Sequence, residues 1–276
     1  NYCSLHIKTF YERGITLTEL TVTEKEKILI SGKVEKYDSL SNLCSWNKSF
    51  KVKIGDIYGI FKPKDGEREY LRPAVTGGTY YKREYASYLI NKFLGFNLIP
   101  ATVIREIDGN IGSLQEFIPN AKIAMKHKEK ELEKFCQEFI NLFALDYIIY
   151  NSDRNWYNIL VTENKLYAID NGLSFGNDDL RMDYINYVSP NLSEIYVIME
   201  KIKHFHKSHD KYEELQKLLQ NLLKPGEIDA CFARMKYLAE FISQNKRLPV
   251  TKESALWHIL LGRHSQKNRK ILPFWP

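Results

Sequence analysis

Two rhythms of apolar and polar residues divide this chain of 276 residues. Up to about residue 118, short β-branched and aromatic runs alternate with turn signals, the pattern of strands. Ile28–Ser31, Phe50–Ile54 and Ile57–Phe61 are predicted strands, with a hairpin signal at Gly55-Asp56. Tyr80–Leu94 interrupts the series. Its Tyr81, Tyr85, Tyr88, Leu89 and Phe93 recur at helical spacing, and Gly95 closes the run. Ala101–Ile107 and Gly112–Phe117 return to strand across a turn at Asp108-Gly109-Asn110, and Pro119-Asn120 marks a break.

Helical spacing dominates the remainder. Glu131–Tyr150 is predicted as one long amphipathic helix, and Asn151–Asn158 as a polar loop. Ile159–Val161 and Leu166–Ile169 form a strand pair turning at Glu163-Asn164. After Asn171-Gly172, helices are expected over Leu192–Leu223, Ile228–Ser243 and Lys252–Leu261. The expected fold class is therefore α+β in two lobes. A β-rich lobe with one main helix covers 1–118, a connector lies near Ile118–Asn120, and a helical lobe covers 119–276.

Composition narrows the function classes. Hydrophobic residues make up 44% of the chain, without repeats or low-complexity tracts, so a sizeable core and a soluble globular protein are expected. No stretch of about 20 apolar residues offers a membrane span. The net charge of +6 and pI near 8.9 suit acidic partners such as nucleotides or lipid headgroups, although a Lys-rich solvated surface accounts for them equally. Lys126–Lys134 mixes both signs, and no basic block with interleaved aromatics points to nucleic acid. Cysteines at 3, 44, 136 and 231 form no CxxC pair, which argues against a zinc site or a disulfide framework and for a reducing, cytoplasmic compartment. Cys136, in an apolar helical run, reads as core filler. The chain opens on Asn1 rather than Met, so a preceding targeting segment stays open.

The chemistry-bearing stretch is Asp146–Phe175. A helix enters a polar loop holding Asp153 and Asn158, and a hairpin then delivers Asp170. Phosphoryl transfer needs a carboxylate near the attacking hydroxyl, oxygen ligands for Mg²⁺ and positive charge on the phosphates. Asn158 and Asp170 supply hard oxygen ligands, and Asp153 would face the acceptor hydroxyl. Asp and Asn are also ordinary turn and cap residues, so the spacing alone is weak. Their context of apolar helix, polar loop, strand, hairpin and Asp-Asn-Gly carries the weight.

These residues resemble a known group. Asp146-Tyr147, Asn151-Ser152-Asp153-Arg154 with Asn158, and Ile169-Asp170-Asn171-Gly172-Leu173-Ser174-Phe175 are similar to the catalytic core of type II phosphatidylinositol 4-kinases and bacterial phosphatidylinositol 3- and 4-kinase-like proteins. The wider superfamily includes HipA toxin kinases and actin-fragmin kinase, which phosphorylate proteins. Gly59-Ile60-Phe61-Lys62-Pro63-Lys64 is similar to the Val-Phe-Lys-Pro segment carrying the ATP-binding lysine. The surroundings of Glu84, from Gly77-Gly78-Thr79 to Tyr88-Leu89, resemble the bacterial members. Gly66-Glu67-Arg68 and Asn97–Val103 are further family-like pieces.

The resemblance implies a protein-kinase-like fold whose interlobe cleft binds ATP and Mg²⁺. In it Lys62, held by Glu84, meets the phosphates, and Asn158 and Asp170 hold the metal. The connector at Glu116, Phe117 and Ile118 would meet adenine, and Ser41-Asn42 would cover the phosphates. There is no GxGxxG loop, and Asn155 stands where phosphatidylinositol 3-kinases place a histidine. Asn171 replaces the Phe of Asp-Phe-Gly. Phosphorylation of protein Ser/Thr is the first expectation, phosphoinositide phosphorylation the second. A lone Cys44 argues against a palmitoylated Cys-rich insertion. A nucleotide-binding regulator without catalysis, and AMP transfer, are the other possibilities.

Three features stand outside that assignment. His204, His206 and His209 read as a solvated helix surface, with only 206 and 209 sharing a face. Trp156 and Tyr157 either pack within the loop or border the acceptor. Leu272–Pro276 is apolar and would dock on the helical lobe or on a partner.

Overall fold

A computed structural model describes residues 23–40, 47–68, 71–72, 75–151, 153–176 and 192–249. Ser41, Asn42, Cys3, Cys44, the expected helix Lys252–Leu261 and the segment Leu272–Pro276 lie outside the described residues. The chain adopts the expected α+β organisation of two lobes.

The first lobe is an antiparallel sheet of β1 (Val34–Ser39), β2 (Phe50–Ile54), β3 (Ile57–Pro63), β4 (Thr102–Ile107) and β5 (Asn110–Glu116), in the order β1-β2-β3-β5-β4. Both predicted hairpins form. Ile54 pairs with Ile57 across Gly55-Asp56, and Ile107 pairs with Asn110 across Asp108-Gly109, whose φ values are 50° and 79°. Positive φ at both central residues matches the right-handed twist of the flanking strands. β1 was not anticipated, since its sequence VEKYDS carries little apolar signal.

Ile28–Ser31 is a correction: it ends a helix, α1 (Glu24–Ser31). Thr23 and Glu26 form a reciprocal capping box, the Glu26 amide donating to Thr23 Oγ1 (3.2 Å) and the Thr23 amide to Glu26 Oε2 (2.6 Å). Arg105 of β4 donates to the carbonyls of Leu29 and Gly32 at the other end. The cap and the long-range carbonyl partners override the β-rich look of Ile28-Leu29-Ile30.

The main helix of this lobe, α2 (Tyr80–Phe93), packs on β4 and β5. Thr79 makes no side-chain cap; instead both carboxylate oxygens of Glu67 accept from the amides of Tyr80 and Tyr81, at 2.8 and 2.7 Å. A distant carboxylate thus satisfies two of the four orphan donors and complements the helix dipole.

The second lobe opens with a small sheet, β6 (Lys122–Ile123), β7 (Ile159–Val161) and β8 (Leu166–Ala168), followed on β6 by a 3₁₀ turn, Ala124–Lys126. The expected single helix Glu131–Tyr150 is instead α3 (Glu129–Leu132), a 3₁₀ turn and α4 (Cys136–Ile149). Nor is α4 amphipathic: Phe139–Leu145 and Tyr147–Ile149 are all buried. It is the central rod of the lobe, covered by α5 (Leu192–Lys207) and α7 (Pro225–Asn245).

The run Leu192–Leu223 breaks at Ser208 into α5 and α6 (His209–Gln220). His206 and His209 therefore belong to different helices and share no face. His206 lies exposed beside Phe205 and Tyr212, with ring centroids 5.7 and 5.8 Å away. α7 starts before Ile228 because Pro225 sits at its first turn and Glu227 Oε2 accepts from the Lys224 amide at 2.9 Å.

Candidate active site

Strand alternation aims Lys62. In β3, Gly59, Phe61 and Pro63 are buried on one face, so Lys62 stands on the other, toward α2. The approach of β5 behind it is tight. A Cβ on Gly112 would lie 2.3 Å from the Lys62 carbonyl oxygen, so only glycine allows this register. Lys62 Nζ donates to Glu84 Oε1 at 2.5 Å and to Asp170 Oδ1 at 2.9 Å. The second Glu84 oxygen accepts from the Asn171 amide at 3.0 Å. Glu84, 4% exposed, therefore joins strand, helix and the Asp-Asn-Gly turn at one point.

That turn has an unusual backbone. Asp170 sits at φ 57° and Phe175 at φ 64°, left-handed values that cost non-glycine residues energy. Gly172 passes against α2, where a Cβ would meet that of Tyr80 at 3.1 Å. The energy is offset by three arginines that bind its carbonyls. Arg72 donates to Tyr150 O and Leu173 O. Arg83 donates to Ser174 O (2.7 Å), Phe175 O (3.2 Å) and Glu227 Oε1 (2.6 Å). Arg154 holds Asp146 through two nitrogens and also donates to Asn158 O and Ile169 O, both at 2.7 Å, and to Asn171 Oδ1.

Asp153 belongs to the loop after α4, which ends on Tyr150 in the left-handed region. The Asp153 amide donates to Asn151 Oδ1, and Asn155 Nδ2 donates to Asp153 O. Asn158 Nδ2 donates to Asp153 O (2.8 Å) and Oδ2 (3.2 Å), which leaves the Asn158 amide oxygen as the end available to a cation. The Ile169 amide donates to Asn158 O at 3.0 Å, so the backbone next to Asp170 lies against that of Asn158 despite the sequence gap.

Electrostatics follow the contacts. Burial pulls the Lys62 ammonium down, but the charges of Asp170 and Glu84 outweigh it and its pKa lies above the ordinary lysine value. Asp170 is held below the usual carboxylate range by Lys62. Asp153 moves the other way, raised by burial and then by the charge of Asp170. Two neighbouring aspartates thus differ in proton affinity, the division of labour that acid–base sites require. Asp146, beneath Arg154, is raised by burial against the pull of that guanidinium.

Lys62, Glu84 and Asp170 meet in one cluster, and Asp153 and Asn158 in a second one beside it. In the connector, the Glu116 amide donates to Ala101 O (2.7 Å) and the Phe117 amide to Tyr58 O (2.9 Å). The carbonyls of Glu116 and Phe117 and the amide of Ile118 are what that stretch can offer a ligand. Trp156 turns inward onto Phe139, ring centroids 6.0 Å apart, while Tyr157 is 51% exposed. Glu67, Arg83 and Arg154 lie within the family-like segments but carry no role that the sequence alone assigns, and neither do Arg72 and Glu227. The Arg83-Glu84 pair on a helix was a usable signal, whereas Glu227 gave none.

Among the described residues no group of three or more His, Cys, Asp or Glu gathers as a metal cage, and no helix is long and apolar enough to cross a membrane. The family described as "Phosphatidylinositol 3- and 4-kinase" matches residues 102–237. That range holds Asp153, Asn158 and Asp170 and leaves Lys62 and Glu84 outside. Protein Rv2133c of Mycobacterium tuberculosis is 28% identical over 109 residues, 38% of this chain and 37% of that protein. The chain thus spans well under half of that relative's length.

Among solved structures, hydra Fam20 with sugar aligns at a TM-score of 0.50 and 16% identity, covering 82% of this chain and 91% of that one. The Helicobacter pylori proinflammatory kinase CtkA aligns at 0.46 and 13% identity, covering 75% and 97%. The resemblance to phosphatidylinositol 3- and 4-kinase-like atypical kinases is borne out, as is the two-lobed kinase-like fold. Together they support a phosphotransferase.

Proposed function

We propose that this chain transfers the γ-phosphoryl group of ATP to a hydroxyl, and that the acceptor is a Ser or Thr of a protein. The observation that carries this is the junction of Lys62, Glu84 and Asp170. An ammonium fixed by a buried glutamate is an electrostatic seat for phosphates. The bond between Pγ and the β,γ-bridging oxygen breaks and one between Pγ and the acceptor oxygen forms. The acceptor proton passes to Asp153, and ADP leaves. Glu84 positions Lys62, and the Arg154 network holds Asp153 and Asp170 in one frame. The Glu116 carbonyl and Ile118 amide would pair with the adenine edge. Ser41 and Asn42, outside the described residues, stay candidates for covering the phosphates. The lobes are proposed to divide at 118/119.

The residues fit Mg²⁺. Asp170 is half exposed, and Asn158, whose Nδ2 is committed to Asp153, keeps its amide oxygen for a cation; both are hard oxygen donors. A Mg²⁺ ion bound by one carboxylate and substrate phosphates needs no three-residue protein cage. When bound, it would neutralise charge on the phosphates. A phosphatidylinositol headgroup is the second reading, favoured by the description of the family that matches.

The test is incubation with γ-labelled ATP and Mg²⁺, offering Ser/Thr peptides and phosphatidylinositol vesicles separately. Label should reach the peptides, and Asp170→Ala should abolish it while circular dichroism stays that of the folded protein. Undiminished transfer by Asp170→Ala refutes the metal assignment. An AMP increment in intact mass without incorporation of the γ-label refutes phosphoryl transfer.

A further inference from the structure

We infer that Tyr157 and Met125 form the acceptor-specificity surface of this site, and that they take a large apolar side chain next to the phosphorylated hydroxyl of a polypeptide. This inference rests on the phosphotransfer function proposed above. Four large hydrophobic side chains are exposed among the described residues: Tyr58, Met125, Tyr157 and Val197. Tyr58 lies edge-on to Phe117 and beneath Lys51, at the connector. Val197 is remote, on α5. The other two lie on neighbouring turns, one of which directly follows the loop that carries Asp153.

Their juxtaposition follows from the small sheet. Ile123 pairs with Leu160, so the turn Ala124–Lys126 that follows β6 runs alongside the turn Trp156–Asn158 that precedes β7, and the two turns pack together. Met125 is 55% exposed and Tyr157 51%. The outward pose of Tyr157 is fixed locally. Its amide donates to Asn155 Oδ1 at 2.9 Å, Trp156 before it is committed to Phe139, and Asn158 after it is tied to Asp153. The ring therefore stands on the solvent side of the loop that carries Asp153. Exposing two large apolar groups within one loop of a reacting centre has a purpose when the acceptor covers them.

A polypeptide suits this surface better than a bilayer. Two side chains make a seat for one apolar residue rather than a membrane-inserting face. The flanking surface interleaves Lys122, Lys126, Lys128 and Lys130 with exposed Glu131 and Glu133, rather than presenting the unbroken basic cluster that recruits an anionic bilayer.

The experiment uses the full chain with γ-labelled ATP, Mg²⁺ and paired synthetic peptides that carry Leu, Met, Phe or Ala beside a single Ser. The expected result is a preference of about tenfold in kcat/KM for the apolar neighbours over Ala, the discrimination a modest hydrophobic contact gives. Tyr157→Ala and Met125→Ala should each collapse that ratio through KM, whereas Val197→Ala should leave it unchanged. A ratio near one in the unaltered protein, or one that survives both substitutions, overturns the inference. So does label that enters phosphatidylinositol vesicles and no peptide, although phosphotransfer then stands. Absence of label from peptides, vesicles, the protein itself and released phosphate overturns phosphotransfer and this inference together.

Discussion

Arg83 is where fold and site depend on one another most directly, and its removal has a calculable cost. The side chain is 2% exposed and its partner Glu227 is 3% exposed. In Arg83→Met, Glu227 keeps a buried charge without its counter-ion, and Ser174 O and Phe175 O lose a donor. Stranding one member of a buried pair costs about 3–5 kcal/mol, and the orphaned carbonyls bring the expected loss to roughly 4–6 kcal/mol. Glu227→Leu strands the guanidinium and should cost about 3–5 kcal/mol. The double variant removes both charges. It should lose only about 1–3 kcal/mol, for the carbonyls and for the Lys224 amide that Glu227 caps. Urea denaturation followed by Trp fluorescence reads all four corners of the cycle, and a coupling energy of several kcal/mol is expected. Glu227→Gln supplies a milder corner if Arg83→Met does not fold. A double variant as unstable as the two single losses added together refutes the claim that charge stranding dominates.

Two further outcomes follow from the geometry. Gly112→Ala forces a Cβ against the Lys62 carbonyl and should cost about 1–3 kcal/mol. It should also weaken binding of a fluorescent ATP analogue by displacing Lys62, and wild-type affinity would contradict the close-approach explanation. For pH, Asp153 accepts a proton only when ionised, and burial together with Asp170 raises its pKa. Transfer should therefore rise with pH through a value above the ordinary aspartate pKa of about 3.9 and fall as acid protonates Asp153. A kcat/KM profile flat between about pH 4 and pH 8 would remove Asp153 from the role of base.

What the sequence made legible was what local pattern encodes. The hairpins at Gly55-Asp56 and Asp108-Gly109, the helix at Tyr80 and the strand pair after Asn158 each follow from turn residues and periodicity within about ten positions. Ile28–Ser31 failed because three apolar residues look alike in strand and helix, and the arbiters were a capping box plus Arg105 far along the chain. Glu131–Tyr150 failed because a fully buried helix has no polar stripe. At the site, side chains with a motif were placed in advance. Those that hold the motif in position act across the fold: Glu227 on Arg83 leaves no local signature, and Glu67, although in a family-like piece, shows its role only through the α2 amides.

The span of the Arg83–Glu227 contact bears on how the protein is made. The two residues are 144 positions apart in the chain. While the polypeptide is still being synthesised, α2 and the sheet can gather as soon as β5 has emerged. The Asp-Asn-Gly turn cannot be clamped until α7 follows it, and non-local closure of this kind comes late in assembly. A ribosome-bound chain from which α7 has not yet emerged would hold Lys62 and Asp170 but not the completed frame around them. The frame around that turn would thus close only once α7 has emerged, after every residue it holds in place has already been made.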